Sequence, residues 1–255
     1  MGWAGCLAAW LLFLVPVDVM VKVRRAGTVG DFSPIPYLAS LAGSALWTIY
    51  ALPMVTPCKT QPLATNAVGT VLELSYVLFF LHYAGKRGRC VTLQLAIVLL
   101  TIAGIISFAF LAAPRLPIRP FPAETPPLSK ATTVLGFASS FLNILMYASP
   151  LSIMAVVIRT RSVRYMPLSL TLAVGCCSAC WTVFALHVQD DFILLPNLLG
   201  LLFCAVQLVL YGCYFRAPRE HTLPFSQAPL ILPAAEESNT SINQSLPTQD
   251  AHVDS

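Results

Sequence analysis

The side chains with the clearest chemical message come in two matched pairs. Trp47 and Trp181 lie 134 residues apart, and Asn66 and Asn197 lie 131 apart. An indole offers a broad apolar face, and a primary amide offers both a donor and an acceptor. Together they suit an uncharged molecule with apolar C–H faces and several hydroxyls. Bond-breaking chemistry has no comparable support: the chain contains no phosphate-binding glycine loop, no nucleophile elbow and no His-Glu-x-x-His motif. Cys176-Cys177-x-x-Cys180 has half the spacing of a zinc site, but no second cluster completes it. No catalysis, metal or cofactor is therefore expected.

Composition says what must hold these residues. Hydrophobic residues make up 57% of the 255, charged residues only 10%, and mean hydropathy is +0.75. A soluble domain carries about 25% charged residues. Only nineteen charges fall in the first 215 positions, too few for a water-facing surface. A soluble enzyme, a nucleic-acid-binding domain and a disordered chain are excluded. The net charge of +4 calls for no polyanionic partner. What remains is a polytopic membrane protein whose first partner is the lipid bilayer.

A spanning helix needs about 20 mostly apolar residues. Seven stretches qualify, at 3–21, 34–54, 63–83, 91–113, 132–157, 166–188 and 192–215. Their apolar runs are continuous, which excludes an alternating β-barrel pattern. Trp3 opens the first span without a preceding basic region, so it does not read as a cleaved signal peptide. Eleven Lys and Arg residues lie on one side (Lys22, Arg24, Arg25, Lys86, Arg87, Arg89, Arg159, Arg161, Arg164, Arg216 and Arg219). Only Lys59, Arg115, Arg119 and Lys130 lie on the other. The imbalance predicts an outside N-terminus and a cytosolic C-terminus. The Pro/Ser/Thr-rich tail after Phe215 reads as disordered, and its sequons at Asn239 and Asn243 fall on the cytosolic side.

The pairs belong to a larger duplication. Trp47-Thr48-Ile49-Tyr50-Ala51-Leu52 recurs as Trp181-Thr182-Val183-Phe184-Ala185-Leu186. Pro16 and Met20 recur as Pro150 and Met154, Pro34 as Pro167, and Asn66-x-x-Gly69 as Asn197-x-x-Gly200. Four landmarks in one order at nearly one offset predict two copies of a three-helix unit. The chain then divides into a first repeat at 1–89, a linker helix and outer loop at 90–130, a second repeat at 131–215 and a tail at 216–255. Four crossings separate equivalent points, so the copies face the same way. They should be related by a pseudo-two-fold along the membrane normal, with a path for a substrate between them. Trp47 and Trp181 lie about seven residues before the outer ends of their spans, about 10 Å deep. Both asparagines lie at similar depth.

Ser33-Pro34-Ile35-Pro36-Tyr37…Trp47, Met146-Tyr147-Ala148-Ser149-Pro150-Leu151, Arg161-Ser162-Val163-Arg164-Tyr165-Met166-Pro167 and Leu195-Pro196-Asn197-Leu198-Leu199-Gly200 resemble the SWEET sugar transporters over about residues 10–215, in their plant and algal form. The resemblance implies an all-α fold of seven transmembrane helices arranged 3+1+3. It implies a bidirectional, ion-uncoupled sugar uniporter working by alternating access, and a homo-oligomer. The expected location is the plasma membrane, with an endomembrane as the alternative. Trp47, Asn66, Trp181 and Asn197 would contact sugar, with Met146, Gly43 and Cys177 also lining the pocket. Methionine at position 146 resembles the monosaccharide carriers. Pro16, Pro36, Pro150 and Pro167 would act as hinges around an inner gate, and Tyr50 with Asp190 would close an outer one.

Two acids lie within spans, at a cost of roughly 2.5–3.5 kcal/mol each on insertion scales. Glu73 matches the family, where it looks structural. Asp18 departs from the family pattern and sits four residues before Lys22, spacing that suits an i,i+4 ion pair. A seven-helix receptor shares the topology but not a three-helix repeat. A proton-coupled carrier of the PQ-loop type would have Gln where Leu151 follows Pro150.

Overall fold

The computed structural model describes residues 2–112 and 130–215, and every regular element within them is helical. In chain order these are α1 (Gly2–Phe13), α2 (Val17–Ala26), α3 (Ile35–Tyr50), α4 (Thr60–Tyr83), α5 (Gly88–Ser107), α6 (Lys130–Met146), α7 (Ala148–Thr160), α8 (Leu168–Val188) and α9 (Asp191–Tyr214). A π-helical turn, Phe108–Ala112, extends α5. Six helical runs are long and apolar enough to cross a bilayer, counting α1 with α2 and α6 with α7 as one run each. The remaining one, α3, has 16 residues, about 24 Å of helix against a hydrocarbon core of about 30 Å. It was expected to reach residue 54, but helix ends at Tyr50, and Pro53 and Pro57 fall in the turns that carry the chain to α4.

The spans expected at 3–21 and 132–157 are each broken in the middle. Proline has no N–H and its ring crowds the carbonyl four residues back. Ahead of Pro16 the chain tightens into i→i−3 bonds: Leu14 N donates to Leu11 O at 3.2 Å and Val15 N to Leu12 O at 3.1 Å. Ahead of Pro150, Tyr147 N likewise donates to Ile144 O at 3.0 Å. After the first break the helix resumes and runs further than expected, so Lys22, Arg24 and Arg25 lie inside α2 rather than beyond it. It stops at Gly27, whose φ of 68° suits a residue without a Cβ. Pro36 and Pro167 break nothing. Pro36 is the second residue of α3, Pro167 is the N-cap of α8, and Pro34 is the N-cap of α3. At those places a helix has no bond for proline to remove. The outer-loop part of the 90–130 linker with Arg115 and Arg119, and the 216–255 tail with Arg216, Arg219 and both sequons, lie outside the described residues.

The two groups of helices pack by one scheme. In the first, α3 lies along α4, and α1 and α2 lie against α4; in the second, α8 lies along α9, and α6 and α7 lie against α9. Helix α5 stands against α3, α4 and α6. Between the groups the main contacts are α1 on α8 and α3 on α6. One buried cluster draws on both groups and includes Leu46, Tyr50, Leu135, Trp181, Phe184 and Phe192. A second, around Val23, Tyr37, Val77 and Phe80, is built from α2, α3, α4 and the start of α5. The groups are therefore joined at the end that carries Tyr50 and Phe192, while α2 and α7 lean mainly on their own groups.

A shared steric device seats each broken span. A Cβ on Gly69 would overlap the ring of Phe13, the last residue of α1. A Cβ on Gly200 would lie 2.6 Å from the hydroxyl of Tyr147, the residue at the other break, and 2.6 Å from Ser178 Oγ. Both asparagine-x-x-glycine motifs thus end in a notch that receives the aromatic side chain at a helix break.

Candidate functional site

Between the two groups lies a cavity of about 160 Å³. A single buried water needs roughly 10–15 Å³ on such a measure, so the space admits a small organic molecule. Trp47, Asn66, Trp181, Asn197, Met146 and Gly43 all line it. Cys177 does not: it is buried one turn from Trp181, in the cluster that joins the groups. Its repeat partner Gly43 does reach the wall, because a residue with no side chain exposes its surroundings. A Cβ there would lie 3.9 Å from Met146 Sδ, so the methionine faces the one wall position with no side chain.

The paired residues have matching local geometry. Asn66 Nδ2 donates to Pro62 O at 2.9 Å, and Asn197 Nδ2 donates to Ile193 O at 2.7 Å. Each amide is thereby held against its own helix, four residues back, with its oxygen uncommitted. Trp47 meets Tyr50 edge-on at 5.3 Å between ring centroids, and Trp181 meets Phe184 edge-on at 5.4 Å. The indoles are 6% and 8% exposed, so they are core residues and not belts at a lipid interface. The wall also includes Ala9, Ser40, Ser44, Thr65 and Asn143. Asn143 was not singled out from sequence. One signal in the sequence marks it: it lies three residues before Met146, on the same helical face. Its repeat partner, Ala9, lines the cavity too.

Next to Trp47, the junction between the groups carries buried charge. Tyr50 Oη donates to Asp190 Oδ2 at 2.8 Å, and Lys59 Nζ lies 2.7 Å from the same oxygen. The other oxygen, Oδ1, accepts Ile193 N at 3.1 Å and so caps α9. Both charged side chains are buried, at 8% for Lys59 and 4% for Asp190. From sequence Lys59 reads only as a loop cation. It is the N-cap residue of α4, the position equivalent to Asp190 at 131 residues' offset. Equivalent positions thus carry opposite charges and meet across the junction. A helix N-terminus favours the anion and disfavours the cation, so Lys59 depends on Asp190 more than the reverse. Nearby, Thr132 Oγ1 donates to Val55 O at 2.7 Å and ties α6 to the turn after α3.

The membrane acids lie off the cavity wall. Asp18 and Lys22 form an exposed i,i+4 pair on α2 at 2.9 Å. Glu73 is buried in α4, 3% exposed.

A family model described as "Sugar efflux transporter for intercellular exchange" matches residues 1–88 and again 133–219. The chain belongs to the SWEET family. It is 34% identical to the bidirectional sugar transporter SWEET7 of Arabidopsis thaliana over 86% of this chain and 81% of that one. It is 33% identical to the bidirectional sugar transporter SWEET7b of Oryza sativa subsp. indica over 93% of this chain and 85% of that one. A solved eukaryotic SWEET transporter superposes with a TM-score of 0.74 at 32% identity, covering 84% of this chain and 94% of its own. SWEET relatives are transporters and not enzymes, and this one is an integral membrane protein.

Proposed function

We propose that this SWEET protein moves a monosaccharide such as glucose down its gradient in either direction, by alternating access and without ion coupling. The observation that carries the reading is the cavity between the two groups, walled by Trp47, Trp181, Asn66 and Asn197. Indoles cover the apolar faces of a pyranose, and amide oxygens meet its hydroxyls. Binding is weak, since a millimolar constant corresponds to only about 4 kcal/mol. Met146 opposite Gly43 sets the width and favours one ring over two.

Tyr50, Lys59 and Asp190 form the outer gate. Rocking of one group against the other parts them, while Pro16 and Pro150 at the broken spans, with Pro36 and Pro167 at helix starts, serve the inner gate. A cavity wall that carries no ionisable acid among the described residues supports uncoupled transport. The protein works as a homo-oligomer in the plasma membrane with its C-terminus in the cytosol. Uptake of radiolabelled glucose by a hexose-transport-deficient yeast tests the reading, and efflux from preloaded cells tests its direction. No flux from a chain that reaches the surface would refute it; flux that collapses with a protonophore would refute the uncoupled part.

A further inference from the structure

The hydroxyl of Tyr147 has no part in the wall just described, yet it reaches the site from behind. It donates to the carbonyl of Pro196 at 2.6 Å. Pro196 immediately precedes Asn197, and Tyr147 immediately follows Met146 at the break in the fifth span. The ring packs on Phe203 at 5.0 Å between centroids, and the hydroxyl itself occupies the Gly200 notch beside Ser178 Oγ. We infer that Tyr147 is a positioning residue for substrate binding, whose hydroxyl sets where the Asn197 amide stands relative to the broken span. This rests on the sugar-transport reading above.

The first repeat shows what the hydroxyl adds. Its equivalent of Tyr147 is Phe13, which fills the Gly69 notch but carries no hydroxyl. The position equivalent to Pro196 is Thr65. Packing alone therefore seats an aromatic ring at a break. In the second repeat a hydrogen bond is added, and it lands on the backbone next to the paired asparagine. Proline 196 makes that backbone a special target. Lacking an N–H, it frees the Phe192 carbonyl, which Ser140 Oγ takes at 2.7 Å. This stretch of α9 is thus braced by two side-chain hydroxyls, one from α6 and one from the break beyond it.

The test is the KM for glucose of Tyr147→Phe, which keeps the ring and removes one oxygen. KM does not depend on how much protein reaches the membrane, so a poorly delivered variant still reports. A rise of about three- to ten-fold is expected, the range of one hydrogen bond. The same substitution in an Asn197→Ser background should change KM less than two-fold, because the group being positioned is already altered. In an Asn66→Ser background the full rise should persist. A KM for Tyr147→Phe within 1.5-fold of wild type would overturn the inference, as would an equal rise in both serine backgrounds, which marks general loosening. Wild-type protein that carries no sugar would instead overturn the underlying reading, so the two failures are distinct.

Discussion

The two three-helix repeats agree at the tryptophans and asparagines that face the cavity and disagree at the places that join them. Tryptophans 47 and 181 and asparagines 66 and 197 are identical in type and in local geometry. At the junction, Tyr50 stands where the second repeat has Phe184, and Lys59 where it has Asp190. A symmetric junction would put two lysines or two aspartates together. Like charges at about 4 Å repel, and more strongly away from water. Opposite charges at equivalent positions turn that repulsion into a 2.7 Å ion pair. Duplication thus supplies paired tryptophans and asparagines, while an ion-paired junction requires the copies to diverge.

The largest effect should come from breaking the divergent pair. Asp190→Ala leaves Lys59 buried at a helix N-terminus without a counter-charge and uncaps α9; loss of one partner of such a pair costs about 3–5 kcal/mol. Sugar flux should fall at least ten-fold, and the purified protein should melt markedly lower. Exchanging the two charges, Lys59→Asp with Asp190→Lys, should recover only part of the melting temperature, because the lysine would replace the cap on Ile193. Full recovery would mean that the helix ends play no part.

Next come the matched walls. Asn66→Ala and Asn197→Ala should each raise the sugar KM several-fold, and by amounts within about three-fold of one another, since a neutral hydrogen bond contributes about 0.5–1.5 kcal/mol. A large effect at one and none at the other would end the claim that the walls are equivalent. The notches should be matched in stability in the same way. Gly69→Ala and Gly200→Ala each force overlap costing about 1–3 kcal/mol, read as a lower melting temperature. Phe13→Leu should restore part of the first loss. The smallest effect is expected from Asn143→Ala, which makes that wall position like Ala9; KM should rise about two- to five-fold with maximal flux unchanged.

Much of this was legible in the chain. The offset between the two tryptophan hexapeptides located the residues that share the cavity, because a repeated unit places equivalent side chains at equivalent depth. Prolines 16 and 150 mark the broken spans, and Phe13 and Tyr147 share one spacing from them, but the carbonyl that the Tyr147 hydroxyl reaches is a long-range partner that spacing does not give. Asn143 and Lys59 are hard to read from sequence for different reasons. Helices that are apolar all round give little periodicity, since lipid-facing and core-facing positions use the same residues. That removes the usual guide to which face of α6 carries Asn143, and it also hid that Cys177 turns into the core while Gly43 opens onto the wall. Lys59 lies in a polar turn where a cation looks ordinary. Its burial goes with its contact to Asp190 across the junction, a long-range fact with no local signature.

The glycine notches have an outcome for how such a chain can change over generations. At 69 and 200, a larger residue collides before the aromatic partner has shrunk, and a smaller partner leaves a void before the glycine has grown. Either first step is harmful, so ring and glycine can be exchanged only together. Each couple therefore resists enlargement of its glycine alone, while other wall positions carry no such partner constraint.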